Sequence, residues 1–209
     1  LIIAVTGGIG SGKSEFCKVL GELGAGVTVG DELGRRALTT DPRLLSDLRN
    51  RFGDQVFDTD GNLIRKALGD IVFSNPKARK WLDARIFPEI YRLLWEDILK
   101  LQRDHQHVVI DAAMIFEWGI DTDFDLIVAV VAPPERVKAF LSHRDSFDER
   151  QMENRFTSQI PPEEKARRAH VVIHNDGTLA DLRLKAHDFW NTCVLSSRFP
   201  GGNQSASGG

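Results

Sequence analysis

Eight consecutive residues near the start of the chain, Gly7-Gly8-Ile9-Gly10-Ser11-Gly12-Lys13-Ser14, fit the pattern G-x-x-x-x-G-K-[ST] without a mismatch. The chemistry of a nucleoside triphosphate explains each residue type. Its tail is a chain of anionic oxygens, and glycines at Gly8, Gly10 and Gly12 let backbone N–H groups turn inward around it, because no Cβ obstructs the approach. Ile9 and Ser11 lend their amides to the same cradle. Lys13 supplies a point charge to the β- and γ-phosphates, and the Ser14 hydroxyl is placed to ligate Mg²⁺ beside waters. A Gly-rich turn that binds nothing is the bland alternative. The dinucleotide pattern G-x-G-x-x-G fails on spacing: its third position falls on Lys13 counted from Gly8 and Gly10, and on Glu15 counted from Gly10 and Gly12.

Such a loop needs a strand before it and a helix behind it, and the flanking residues supply both patterns. Leu1–Val5 is apolar throughout, and Phe16, Val19, Leu20 and Leu23 recur at helical spacing. Four more Val/Ile-rich runs follow at Val27–Val29, Val108–Ile110, Leu126–Val131 and Val171–Ile173. Several lack polar alternation, which is how strands buried on both faces of a helix-covered parallel sheet read. The helix N-terminus behind the loop adds its partial positive charge to the phosphate site.

The remaining segments are helical. Asn75-Pro76 opens a helix with Asn as cap and Pro at the first position, followed by Leu82, Ile86, Ile90, Leu94, Ile98 and Leu101; Pro88 is expected to kink or split it. Residues 32–105 thus form a helical insertion in a core made of 1–31, 106–134 and 169–195. A charged block at 135–168 is either a solvated surface or a lid over an anionic ligand. The Gly/Ser-rich residues 196–209 are expected to be a disordered tail. The first strand begins at once on Leu1, so no signal peptide is expected, and a short leader is expected to have been trimmed.

Composition limits the partners. The chain has 209 residues, 42% hydrophobic and 27% charged, with a net charge of −3, enough apolar material for a core and no basic excess for nucleic acid. No apolar run reaches the length of a membrane span. Two cysteines, Cys17 and Cys193, make no disulfide framework, and a cytoplasmic setting is expected. Two further motifs are coincidences. Asp31-Glu32-Leu33-Gly34 matches a GTPase D-x-x-G, but it lies only 31 − 13 = 18 residues past Lys13, and no Asn-Lys-x-Asp exists to read guanine. His143-Arg144-Asp145 lacks the Asn that a protein kinase needs five positions later, where Arg150 stands. His170 and His174 share a strand face but stand roughly 13 Å apart at about 3.3 Å per residue, too far to hold one metal ion. An insertion plus a charged block suits a small-molecule kinase, which must hold a second substrate and exclude water.

The loop, with Thr6 in front of it, resembles the opening of the dephospho-CoA kinase family, and the likeness runs on to about residue 190. Asp31 with Arg35 is similar to that family's D-x-x-x-R. Phe52-Gly53, then Gly61 to Leu68 and Val72-Phe73, resemble its F-G and L-x-R-x-x-L-x-x-x-V-F stretch. Asp111 to Glu117 (DAAMIFE) is similar to D-x-P-L-L-F-E, while Arg144-Asp145, Arg155 and Gln159 match its lid and Ile173-x-Asn175-x-Gly177-Thr178 its late turn. The resemblance implies a P-loop NTPase fold, three-layer α/β/α with a five-stranded parallel sheet, a helical acceptor domain and a helical lid. It implies transfer of the ATP γ-phosphoryl group to the ribose 3′-hydroxyl of dephospho-coenzyme A with Mg²⁺, by a monomer or weak homo-oligomer.

Each candidate has a plain alternative. Asp31 either orients the attacking hydroxyl and takes its proton, or caps a helix. Asp111 holds a Mg²⁺-bound water, or is another cap. Arg144 and Arg155 offset charge on the moving phosphoryl group, or pair with Glu149 and Glu153 on the surface. Arg65 grips an acceptor phosphate or caps a helix, and Asn175 and Gly177 border the adenine or make a turn. With Arg35 and Glu117, the residues Asp31, Arg65, Asp111 and Arg155 make up the acceptor side. Several positions depart from the family: Phe87 for His, Ala113 for Pro, Met114-Ile115 for the leucines, His170 and His174 for aspartates, and Val137 and Phe140 for a lid Gln and Arg. These departures keep two other readings in view, a related nucleoside or nucleotide kinase with another acceptor and a nucleotide-binding homologue with little catalysis.

Overall fold

The Val/Ile runs become β1 (Ile2–Gly7), β2 (Gly26–Val29), β3 (Val108–Asp111), β4 (Leu126–Val131) and β5 (Val171–His174), one parallel sheet in the order β2-β3-β1-β4-β5. The computed structural model describes residues 1–142 and 159–196. Residues 143–158 of the expected lid, with Arg144 and Arg155, and almost the whole of the expected tail therefore lie outside the described residues. β1 is central. Its register sets Val5 opposite Asp111 on β3 and opposite Val128 on β4, so both neighbours end level with the loop that leaves β1.

Alternation along the strands makes the layers. Ile3, Val5, Val109, Leu126, Val128 and Val130 point into a core shared with α1 (Lys13–Glu22) and with a helix near the end of the described chain, Leu179–Phe189. Phe16 of α1 meets Phe189 there with ring centroids 5.5 Å apart. The intervening residues Ala4, Thr6, Ile110, Ile127 and Ala129 are equally buried on the opposite face.

Contacts divide the chain into two units, one of Leu1–Thr28 with the chain from Leu101 onward and one of Val29–Lys100. The second unit holds α2 (Gly30–Thr40), α3 (Pro42–Phe52), α4 (Arg65–Ser74) and nearly all of α5 (Pro76–Leu101). Local chemistry starts its helices. Asp41 caps α3 through the Arg43 N–H at 2.9 Å, with Pro42 at the first position. Asn75 caps α5 through the N–H groups of Lys77 and Ala78, at 3.0 and 3.1 Å. Pro88 does not split α5, which runs for 26 residues. Ile86, Ile90, Leu93, Leu94 and Ile98 are buried on both sides of the proline, so packing holds the helix across the missing N–H. Arg36–Asp97 at 2.6 Å and Arg85–Asp47 at 2.5 Å add ion pairs between its helices.

Two short helices complete the first unit: α6 (Pro134–Ser142) after β4, and α7 (Pro162–Arg168) before β5. The helix Leu179–Phe189 is α8, opened by a capping box between Thr178 and Asp181 and continued by a π-helical turn, Trp190–Leu195.

Candidate active site

The loop 7–14 joins the end of β1 to α1 without a capping side chain. Gly12 takes the N-cap place in the left-handed region (φ 92°), and having no side chain it cannot cap the first amides of α1. Those N–H groups and the positive helix end are what an anionic oxygen needs. A Cβ at Gly12 would run into the Asn175 amide and come within 2.9 Å of Leu182 Cδ2, so sterics as well as φ demand glycine there.

Asn175 explains how the loop keeps its shape. It follows β5, is 6% exposed, and its Nδ2 donates to the Ser11 carbonyl at 2.9 Å. Its own N–H donates to the Val131 carbonyl at 2.7 Å, which fixes it to β4. Through these two bonds Asn175 ties the phosphate loop to β4. Its Oδ1 and the Ser11 Oγ are buried without a hydrogen-bond partner among the described residues. The turn around Gly177 is clasped from another side, because the Arg136 guanidinium of α6 donates to the Gly177 carbonyl.

Lys13 is the first residue of α1, and its ammonium meets the carboxylate of Asp111, the last residue of β3. The strand register brings this about, since Val5 opposite Asp111 leaves the carboxylate level with the loop. Asp111 is 4% exposed, whereas Ser14, one residue past Lys13, is exposed at the helix start. Nearby on α1, burial pushes the Cys17 thiol up to about 12, against the opposing charge of Lys13, which leaves it protonated and inert.

α6 lies along the same loop. A Cβ at Gly10 would stand 3.2 Å from Val137 Cγ1 and 3.4 Å from Phe140 Cδ1, so an apolar pair borders the loop at the two positions that depart from the family pattern. Beside Gly8 stands Pro162 of α7, 3.4 Å from where its Cβ would be. Pro162 also lines a recess of about 440 Å³ that follows the end of β4. Its apolar walls come from Val131, Ala132, Pro133, Pro162 and Ala166, and its polar groups from Glu163, His174 and Asp176.

Glu117 belongs to a cluster that the sequence alone did not reveal. Its Oε1 accepts from the Ile160 N–H at 2.8 Å and lies 2.8 Å from Nζ of Lys165, which is fully buried. Burial pulls the Lys165 ammonium below the usual lysine range, and Glu117 opposes that shift. Inside the block 135–168 nothing marked Lys165 apart from the other cations. The available signal was its counterpart, a carboxylate ending the apolar run Ala112–Phe116. His170 is likewise committed: its Nδ1 accepts from the Ile127 N–H at 2.9 Å.

The other candidates lie in the second unit. Asp31 and Arg35 are exposed one turn apart on α2, four residues apart and so on one face. Val29 holds the cap position of α2, so Asp31 sits inside the first turn with no capping bond. Arg65 is exposed as the first residue of α4. A tight turn sets it there: the Asp58 carboxylate accepts from the N–H groups of Asn62 at 2.8 Å and Asp60 at 3.0 Å, and these bonds hold its carboxyl below the usual range.

A sequence model of the dephospho-CoA kinase family matches residues 1–181. A dephospho-CoA kinase of Syntrophotalea carbinolica is 36% identical over 210 residues, covering 100% of both chains, and one of Geobacter sulfurreducens is 35% identical over 200 residues, 95% of this chain and 99% of that one. Among solved structures, the protein TT1252 of Thermus thermophilus superposes with a TM-score of 0.75 at 34% identity, covering 90% of this chain and 95% of that one. A dephospho-CoA kinase of Campylobacter jejuni shares the fold with a TM-score of 0.72 at 24% identity, over 94% of this chain and 98% of that one.

Proposed function

This chain belongs to the dephospho-CoA kinase family, and on that premise we propose that it transfers the γ-phosphoryl group of ATP to the ribose 3′-hydroxyl of dephospho-coenzyme A. The observation that carries the reading is the meeting of Lys13 and Asp111 at the carboxyl ends of two adjacent strands, beside a loop that enters α1 through a glycine N-cap. Amides of Gly8 to Ser14 bind the triphosphate, and Lys13 leaves or shares Asp111 to neutralise the β- and γ-oxygens. The recess lined by Val131, Pro133 and Pro162 takes the adenine, with Asn175 and Gly177 fixing its distance from the loop.

The donors present suit magnesium. Ser14 offers a hydroxyl and Asp111 a carboxylate, both hard oxygens, and no cluster of three or more His, Cys, Asp or Glu among the described residues forms an all-protein cage. Ser14 would hold the ion directly and Asp111 through a water. When bound, it offsets charge on the β- and γ-phosphates.

Asp31 orients the 3′-hydroxyl and accepts its proton. The bond from the 3′-oxygen to the γ-phosphorus forms as the bond to the β–γ bridging oxygen breaks, and ADP leaves with that electron pair. Arg35 and Arg65 hold the anionic groups of the acceptor. At the first turn of α4 a cation is unfavourable against the helix dipole, which an acceptor phosphate would offset. Glu117 keeps its buried Oε2 for the acceptor side. Arg144 and Arg155, outside the described residues, offset charge on the moving phosphoryl group. The enzyme works in the cytoplasm as a monomer or weak homo-oligomer.

The test is a coupled ADP-release assay at saturating Mg·ATP. Release that depends on dephospho-CoA supports the reading, and its absence contradicts it. One observation favours a second reading, a nucleotide-binding homologue with little catalysis: Phe140, not an arginine, borders Gly10. Tight ATP binding without turnover on any acceptor would select it.

A further inference from the structure

The mechanism above leaves one buried charge unused. Lys165 is 0% exposed, and a buried ammonium is expensive unless its protons are taken. Its partners are two groups at opposite ends of one turn. Nζ donates to the Ala113 carbonyl and lies 2.8 Å from Glu117 Oε1. That carbonyl also accepts from the Thr6 hydroxyl at 3.0 Å, and Thr6 is a fully buried residue of β1, directly before the phosphate loop. Just before Ala113 the Ala112 N–H donates to the Val5 carbonyl at 3.1 Å, continuing the strand ladder one residue past Asp111.

An apolar residue could pack α7 on the sheet equally well, since buried ion pairs seldom add stability over well-packed hydrophobic side chains. What the ammonium adds is direction. It holds a carbonyl two residues beyond Asp111 and a carboxylate six residues beyond it, and Asp111 is the partner of Lys13. We propose that Lys165 is a positioning residue for phosphoryl transfer: by tying the Ala113 carbonyl to Glu117 it fixes the turn that follows Asp111, and through it the seat of Asp111 against Lys13. The proposal rests on the kinase reading, and it concerns the geometry of the Lys13–Asp111 pair and not the identity of the acceptor.

The test compares wild type, Lys165→Met and Thr6→Val by kcat, by KM for each substrate, by the Kd for Mg·ATP and by nitrogen NMR of the lysine side chains. A displaced reacting group is costly, so kcat of Lys165→Met falls at least about ten-fold while KM and Kd for ATP stay within about three-fold. Thr6→Val removes the second donor to the same carbonyl and leaves the ion pair whole; its kcat falls about three- to ten-fold. In both variants the Lys13 Nζ resonance moves. A merely structural role would lower the melting temperature and leave kcat of the folded protein and the Lys13 resonance unchanged, and that result overturns the proposal. If Lys165→Met does not fold, Thr6→Val decides by the same criteria. Absence of dephospho-CoA-dependent turnover in wild type contradicts the kinase reading alone, and the Lys13 resonance then decides this proposal.

Discussion

Removing the Asn175 side chain tests how the phosphate loop is held. Its Nδ2 donates to the Ser11 carbonyl at 2.9 Å from a site 6% exposed. In Asn175→Ala the carbonyl loses a buried partner, which costs about 1–3 kcal/mol. If the whole of that energy is spent on keeping the loop amides turned inward, Kd for Mg·ATP rises about five- to 150-fold at about 1.4 kcal/mol per decade. Asn175→Asp is the sharper control. It preserves shape but sets an acceptor, and a negative charge, against a carbonyl oxygen beside the triphosphate site, so it weakens binding more than alanine does. Calorimetric titration with Mg·ATP gives Kd, and thermal unfolding shows whether the cost falls on the whole fold: for a chain of this size each kcal/mol lowers Tm by about 2–4 °C. If both variants keep the wild-type Kd, the loop does not depend on Asn175, and the reasoning from that hydrogen bond is wrong.

Other perturbations probe separate parts of the site. Lys13→Ala abolishes measurable turnover, and Asp31→Asn lowers kcat far more than it raises Kd for ATP; an Asp31→Asn enzyme with normal kcat removes Asp31 from the base role. Phe140 is 49% exposed beside Gly10, so Phe140→Arg fits without burying a charge and raises kcat by about ten-fold or more if a missing cation limits the rate; an unchanged kcat shows that it does not. Cys17 keeps its proton to about 12 when folded but loses it near 9 when unfolded, so its contribution to stability is whole below pH 9 and declines as pH rises from there toward 12. Peptide mass analysis after alkylation at pH 8 therefore finds Cys17 unmodified in the native protein and modified in denaturant.

Period and composition made the core legible. Val/Ile runs identified all five strands because a parallel sheet covered on both faces leaves no polar alternation to confuse them. The phosphate loop was legible because backbone geometry restricts its residues more than packing does, and Asn75-Pro76 because a cap is a local event. Of the two outcomes expected at Pro88, the split does not occur: the rule that proline breaks helices is local, whereas Ile86, Ile90 and Ile98 anchor α5 from both sides. What stayed hidden was long-range pairing. Asn175 reaches Ser11 across 164 residues, and Lys165 meets Glu117 from a separate element, so neither partner could be assigned without the fold. Glu117 drew notice as an acceptor candidate, but one of its oxygens turned out to be held by α7 and by the Ile160 amide.

Phosphorus NMR of the complete reaction tests the central claim most directly, because it follows both the donated group and the atom that receives it. With Mg·ATP and dephospho-CoA, loss of the γ-phosphate signal is matched one to one by growth of a 3′-phosphomonoester signal, and Lys13→Ala shows neither. Loss of γ-phosphate to inorganic phosphate alone, or no loss at all in the wild-type enzyme, would contradict the account.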